Sequence, residues 1–157
     1  LTPLLRRLFY SRHKCMKQNS IAYSISGIAE REFAVSYELR PDEIDLSRLS
    51  VMVNTAFDTN YEDNELKITF RANYILDNST ESPLARIAVT ATFKVMPLSD
   101  LINVDSEGKI SSPHPDLLDC LIMTTVGAAR GILYVRLKGS PLDGLVLPMI
   151  PIETFHN

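Results

Sequence analysis

Apolar and polar side chains alternate along four segments in the first two-thirds of the chain, a pattern typical of strands with one buried face. The apolar rows lie within residues 29–39, 51–57, 66–76 and 87–95, and residues 21–26 lead into the first row, which Arg31 interrupts. The later rows are joined by residues 60–64 and 77–83, which are rich in turn-forming side chains. The pattern therefore predicts a four-stranded antiparallel sheet with hairpin connections.

A helical period follows the strands. Residues 97–103 predict a short helix, and apolar residues recur three and four positions apart from Leu117 to about Leu137, which predicts a long helix. Ser112 is its expected N-cap, Pro113 its first-turn proline and Gly139 the residue that ends it. Strands followed by helices indicate an α+β fold.

The segment after the long helix is apolar but cannot be a helix or a central strand, because Pro141, Pro148 and Pro151 interrupt it. It is too apolar for a free tail, so it must dock on the chain's own sheet, on another subunit or on a ligand. Its apolar residues are Leu145, Val146, Leu147, Met149, Ile150, Ile152 and Phe155.

Composition narrows the class of protein. A chain of 157 residues with 45% hydrophobic and 22% charged residues fits one globular domain. The net charge of −3 argues against broad nucleic-acid binding, which needs a basic surface. Residues 1–15 are basic and mildly apolar, and we interpret them as a loose extension ahead of a domain at 16–157. The sequence contains no stretch of 18 uncharged apolar residues, so it predicts no transmembrane helix.

Candidate catalytic and metal-binding side chains are isolated. His13, His114 and His156 stand alone, and Asp116 with Asp119 is explained by the positive end of the helix dipole. Cys15 and Cys120 form neither a metal spacing nor a disulfide framework, which fits a reduced cytoplasmic setting. Cys120 is expected to be a small core residue of the long helix. We therefore expect no enzyme activity, cofactor or metal.

Four stretches carry a resemblance to a known family. They are Ala129 with Arg130, the exit at residues 139–141, the tail at 145–155, and the strand at 84–95 with its ending Thr-Phe-Lys-Val. Together with the order of elements, they resemble the SecB protein-export chaperone family. The resemblance implies a four-stranded antiparallel sheet followed by a short helix, a long helix and an extended apolar C-terminal segment.

The chain also departs from the family's pattern. Gly131 stands where members carry a glutamate after Ala-Arg, and residues 151–152 replace the tail's Asn-Phe. Arg31, Val35 and Arg86 align with acidic positions that many members present to the translocase motor SecA. Basic or apolar residues there would repel or ignore a cationic partner, so binding to SecA is doubtful.

The resemblance implies ATP-independent binding of unfolded polypeptides or preproteins in the cytoplasm by a dimer of dimers. A holdase must expose apolar surface, so the expected client-binding residues are Phe33, Tyr37, Phe57, Leu145, Leu147, Met149 and Ile150. Gly127, Ala128 and Gly131 are expected to pack against another subunit, or alternatively against the chain's own sheet. Two other functions stay open: a module for one dedicated partner, such as an antitoxin-type client, and an enzyme whose site assembles between subunits.

Overall fold

An antiparallel sheet with one long helix across one face forms the body of the protein. The structure is a computed structural model, and it describes residues 16–18, 21–77 and 82–156. The strands run in the order β1-β2-β5-β4-β3. They are β1 (Met16–Gln18), β2 (Ile21–Val35), β3 (Leu49–Asn60), β4 (Glu65–Leu76) and β5 (Ala85–Met96). The predicted N-terminal extension at 1–15 lies outside the described residues.

The two predicted hairpins are confirmed. β3 pairs with β4 and β4 with β5, each antiparallel, and Asn64 and Asp77 adopt positive φ angles at the turns. β2 is different, since it pairs with β5 on the far side of the sheet from β3. A crossover segment, residues 36–48, therefore spans one end of the sheet, and it includes two 3-10 turns, Pro41–Glu43 and Leu46–Arg48.

β2 is one strand of 15 residues that contains two irregularities in register. The second lies between Glu30 and Glu32, so the break that Arg31 makes in the apolar row is a β-bulge within a continuous strand. The strand ends at Val35, four residues before the predicted end. Tyr37 consequently lies in the crossover segment and not in the sheet.

The helical region differs from the prediction at its start. The long helix, α1, is Pro115–Arg136, and His114 is its N-cap without a side-chain cap hydrogen bond. Ser112 instead accepts a hydrogen bond from the His114 N–H at 3.1 Å, so its prediction as N-cap was wrong. The proline of the first turn is Pro115, and not Pro113 as expected.

The segments on either side of α1 were partly foreseen. The predicted short helix is a single 3-10 turn, Leu98–Asp100, followed by an unpredicted small hairpin of β6 (Asn103–Val104) and β7 (Ile110–Ser111). After α1, Gly139 adopts φ +76°, a left-handed conformation that suits glycine and ends the helix as expected. The last regular element is the 3-10 helix Ile152–Phe155.

The core lies between α1 and the sheet face formed by the alternating apolar rows of β4 and β5. Its largest fully buried side chains include Phe70, Phe93, Ile87, Leu117 and Leu133. Cys120 is exposed, so its expected place in the core was wrong, because it lies on the side of α1 that faces away from the sheet. By length and composition alone α1 could cross a membrane, but a core helix meets the same criterion, and one side of α1 is buried on the sheet.

Candidate functional site

The C-terminal tail, residues 145–155, docks on the chain itself. It runs antiparallel to α1, because Arg130 contacts its beginning and Asp119, which precedes Arg130 in the helix, lies beside His156 just beyond its end. The distance between Asp119 Oδ1 and His156 Nε2 is 2.9 Å. Phe155 packs edge-on against Phe70 of β4, with ring centroids 6.2 Å apart. The tail therefore lies beside α1 over the core-facing side of β4.

Some side chains of the tail point into the protein and others point into solvent. Leu147 is only 1% exposed and Ile150 is buried, so both belong to the core. Met149 lies between them and is 85% exposed. The apolar character of the tail thus has two sources: anchors that dock it, and side chains left free on the surface.

Arg130 ties the beginning of the tail to α1 through the backbone. Its Nε donates to the Leu147 carbonyl at 2.9 Å, and its Nη2 donates to the Pro148 carbonyl at 3.0 Å. The planar guanidinium presents several donors in a fixed fork, which suits two neighbouring acceptors. Because both acceptors are main-chain oxygens, the contact does not depend on which side chains the segment carries.

Tyr74 lies close to this contact on the core-facing side of β4. It is 3% exposed, and its hydroxyl has no hydrogen-bond partner among the described residues. Burial raises the pKa of Tyr74 to about 12, and the positive charge of Arg130 opposes that rise. A buried hydroxyl without a partner is energetically costly and able to accept a new hydrogen bond.

Two apolar grooves border the tail. One of about 510 Å³ lies between the crossover segment and the turn after α1, and it is lined by Pro41, Ile44, Leu46, Leu142, Leu145 and Val146 among others. The other, of about 480 Å³, lies near the start of α1, and its apolar lining comprises Phe57, Ile110, Leu118, Ile122 and Phe155. Lys109, Asp119 and His156 add charge or polarity to the second groove.

The structure gathers only some of the predicted client-binding residues. Tyr37 is 69% exposed in the crossover segment, and Leu145 and Phe57 are half-buried in the lining of the two grooves. Phe33 lies on β2, toward the opposite edge of the sheet from Phe57. The Arg136 guanidinium carbon lies 4.6 Å from the centroid of the Phe33 ring. Leu147 and Ile150 are core residues, which argues against their direct contact with a client.

Several residues of this surface were not singled out by the sequence. Ile44 and Leu46 lie in a segment whose partner depends on the crossover, which no local pattern reveals. Arg130 carried a signal, since it is a cation within an otherwise apolar stretch of α1. Such a side chain in a long amphipathic helix needs an acceptor, and here the acceptor is the tail.

The side of α1 that faces away from the sheet is free of charged side chains over three turns. Gly127 and Gly131 are exposed there and Ala128 is half-buried, and a Cβ built on either glycine would meet no atom within 4 Å. The two glycines are therefore not required for packing on the chain's own sheet, whereas Ala128 packs partly against the core. Cys120, Thr124 and Tyr134 continue the same exposed face.

Both edges of the sheet offer backbone groups for pairing. Among the described residues β3 has no neighbour beyond it, and β1 covers β2 only at Ile21–Tyr23. Open edges are templates for another strand, either from a second copy or from an extended peptide.

The positions aligned with acidic residues of the SecB family are not acidic surface here. Arg86 pairs with Glu32 at 3.2 Å on the outer side of the sheet, and Arg31 is exposed next to it in the bulge. Glu30 pairs with Arg136 of α1 at 3.2 Å. The nearby acids are thus partly neutralised within the protein.

Similarity to known proteins lies in the structure and not in the sequence. No protein-family model and no curated protein matches the chain. A solved structure that does match is the Mycobacterium tuberculosis SecB-like chaperone Rv1957 in complex with a peptide from the HigA1 antitoxin, with a TM-score of 0.56 at 10% identity. The match covers 82% of this chain and 91% of the chaperone chain. The chain therefore has the SecB-like α+β fold that its order of elements and its apolar tail predict.

Proposed function

We propose that the protein binds unfolded or extended polypeptides without ATP, as a holdase-type chaperone of the cytoplasm. The observation that carries the proposal is the apolar surface around the tail, where Met149 and Val146 are exposed beside two grooves. Burial of client side chains on such a surface is non-directional, which allows many sequences to bind. The flexible thioether of Met149 adapts to different partners.

The structural neighbour supports a polypeptide as the client, and it is also compatible with the second function, a module for one dedicated partner. That chaperone holds a peptide from an antitoxin. A module for one dedicated protein partner would use the same surface but would bind a narrower range of client sequences. A role in preprotein export through SecA has less support, because Arg86 and Arg31 replace acidic positions and Glu32 is paired. Both readings describe a non-enzymatic binding protein.

The exposed face of α1 supports assembly as a dimer of dimers. Helices approach closely where glycine and alanine replace larger side chains. Gly127 and Gly131 supply such positions without a contact that needs glycine inside the subunit, and Ala128 beside them packs partly against the core. Closed symmetric homo-oligomers are the commonest assemblies of soluble proteins, and a helix face that packs against its own copy gives one.

An aggregation assay with several unrelated clients distinguishes the two readings. Slowed aggregation of each client without ATP supports the holdase, whereas tight binding to a single partner and no protection of the others supports the dedicated module. Turnover of a small molecule would contradict both.

A pair of methionine substitutions tests the surface. Met149→Asp should lower affinity for an unfolded client by about tenfold or more, because a charge in an apolar contact costs several kcal/mol unless it pairs. Met52→Asp is the matched control, since Met52 is also exposed, at 52%, but lies on the other side of the sheet. Equal loss in both variants, or no loss in Met149→Asp, would place the client elsewhere.

A further inference from the structure

We propose that the strip of sheet and helix surface under the tail is itself a peptide-binding groove, and that the tail is its built-in occupant. We call this surface, formed by α1 around Arg130 and by β4 around Tyr74 and Phe70, the tail groove. Its external ligand would be an extended segment of a client chain that takes the place of the tail. This inference rests on the proposed function and names the site and the mode of binding.

The first argument is how the tail is held. Residues 146–150 make no backbone–backbone hydrogen bond to any other described residue. The attachments of the tail are side-chain contacts: Arg130 to two carbonyls, the Phe155 ring on Phe70, the His156–Asp119 pair, and the buried anchors Leu147 and Ile150. A segment held in this way can leave without breaking any strand pairing or helix.

The second argument is what the groove recognises. Arg130 binds the main-chain carbonyls of two consecutive residues, which any peptide on the same path as the tail offers whatever its side chains. The two buried anchors are three positions apart, so the groove accepts apolar side chains at i and i+3 of a segment that follows the path of the tail; a path with three residues per turn, as in polyproline II, brings such positions to one side. Many unfolded sequences meet these requirements, so the groove does not select one particular sequence.

The third argument is the Tyr74 hydroxyl. It is buried near Arg130 and lacks a hydrogen-bond partner while the tail is docked, within the part of the chain that the structure describes. The tail therefore does not satisfy all the polar groups at this place. A client backbone in a slightly different register could accept a hydrogen bond from Tyr74, which would favour its exchange with the tail.

The test weakens the anchors of the tail without altering the walls of the groove. The probe is a fluorescein-labelled peptide with the sequence of residues 143–155 of this chain. The full chain carrying Leu147→Ala and Ile150→Ala should bind the probe about tenfold more tightly than the parent, because its own competitor occupies the groove for less of the time. Met52→Ala, which shortens an exposed side chain on the opposite face of the sheet, should bind the probe as the parent does.

Arg130 then distinguishes the groove from other apolar surface. Adding Arg130→Gln to the anchor variant should reduce probe affinity again by about tenfold, because the clamp on the client backbone is lost. Unchanged probe binding in the anchor variant overturns the proposal. So does loss of cooperative folding in that variant, since the tail would then be an integral part of the core.

A second measurement leaves the anchors Leu147 and Ile150 unaltered. The chain contains no tryptophan, so Phe155→Trp places a single fluorescent reporter on the docked tail. The client is reduced and carboxymethylated ribonuclease A, which also lacks tryptophan. Binding should shift the emission to longer wavelength as the tail leaves the groove. Client binding without a shift overturns the tail groove and leaves the proposed function standing, whereas no client binding overturns both.

Discussion

The exposed face of α1 gives a prediction in which fold and assembly respond in opposite directions. Gly131 is helical and exposed, and a Cβ there would meet no atom within 4 Å of the same chain. Gly131→Leu therefore fits the single subunit without strain. Leucine also favours the helix over glycine, so the subunit alone should gain roughly 0.8 kcal/mol in free energy of unfolding.

The assembly should respond with the opposite sign if this face packs against a second copy. Overpacking a close contact costs typically about 1–3 kcal/mol per site, and a two-fold contact contains the site twice. The interface should then lose about 2–6 kcal/mol, which raises the dissociation constant by roughly 30-fold to more than 10⁴-fold. At micromolar concentration such a change splits a typical oligomer.

Light scattering after size-exclusion chromatography measures the outcome. The parent should have the mass of an oligomer, most simply a tetramer, and Gly131→Leu a smaller mass with unchanged circular dichroism. Gly131→Ala is the graded control, because it has a similar gain in helix propensity but adds only one methyl group. A monomeric parent, or a Gly131→Leu variant of full mass with a raised melting temperature, would refute the reasoning.

Three further predictions concern other parts of the molecule. Tyr74→Phe should leave stability at neutral pH equal or higher, and it should reduce the loss of stability between pH 10 and 12. The folded pKa of about 12 lies above the unfolded value of 10, so the parent loses stability on the order of 3 kcal/mol across that window. Denaturant titrations that show the same alkaline loss in both proteins would contradict the assignment. Calorimetry with SecA should show weak or no binding because Arg31 and Arg86 replace acidic positions, and a salt-sensitive sub-micromolar complex would prove this wrong. Deletion of residues 1–15 should leave oligomer mass and melting temperature nearly unchanged, and a decrease of many degrees would show that these residues belong to the fold.

The alternation of apolar side chains determined which segments form the sheet and which of their faces is buried. The rows of β4 and β5 became the core as predicted, and the period of α1 identified its buried side through Leu117, Val126 and Leu133. Prolines at 141, 148 and 151 excluded a second long helix, so an extended docked tail was the remaining solution. These features follow from local rules of backbone geometry and burial.

The sequence could not determine which elements become neighbours. A period states which face of a strand is buried, but it does not state which strand lies beside it, so the pairing of β2 with β5 appeared only in the fold. The sequence also could not state on which side of α1 Gly127 and Gly131 lie, and the fold places both on its exposed side. The same placement exposed Cys120.

The candidate site depended still more on tertiary structure. Leu147 and Met149 are similar in sequence terms, yet one is buried and the other is almost fully exposed, because only the docked path of the tail decides which way each points. Arg130 gained its role from two carbonyls that lie 17 and 18 residues further along the chain. The sequence by itself determined the apolar character of the tail and its need for a docking surface. Only the tertiary structure decided what that surface is, because long-range contacts are set by the packing of whole elements and not by the pattern within any one of them.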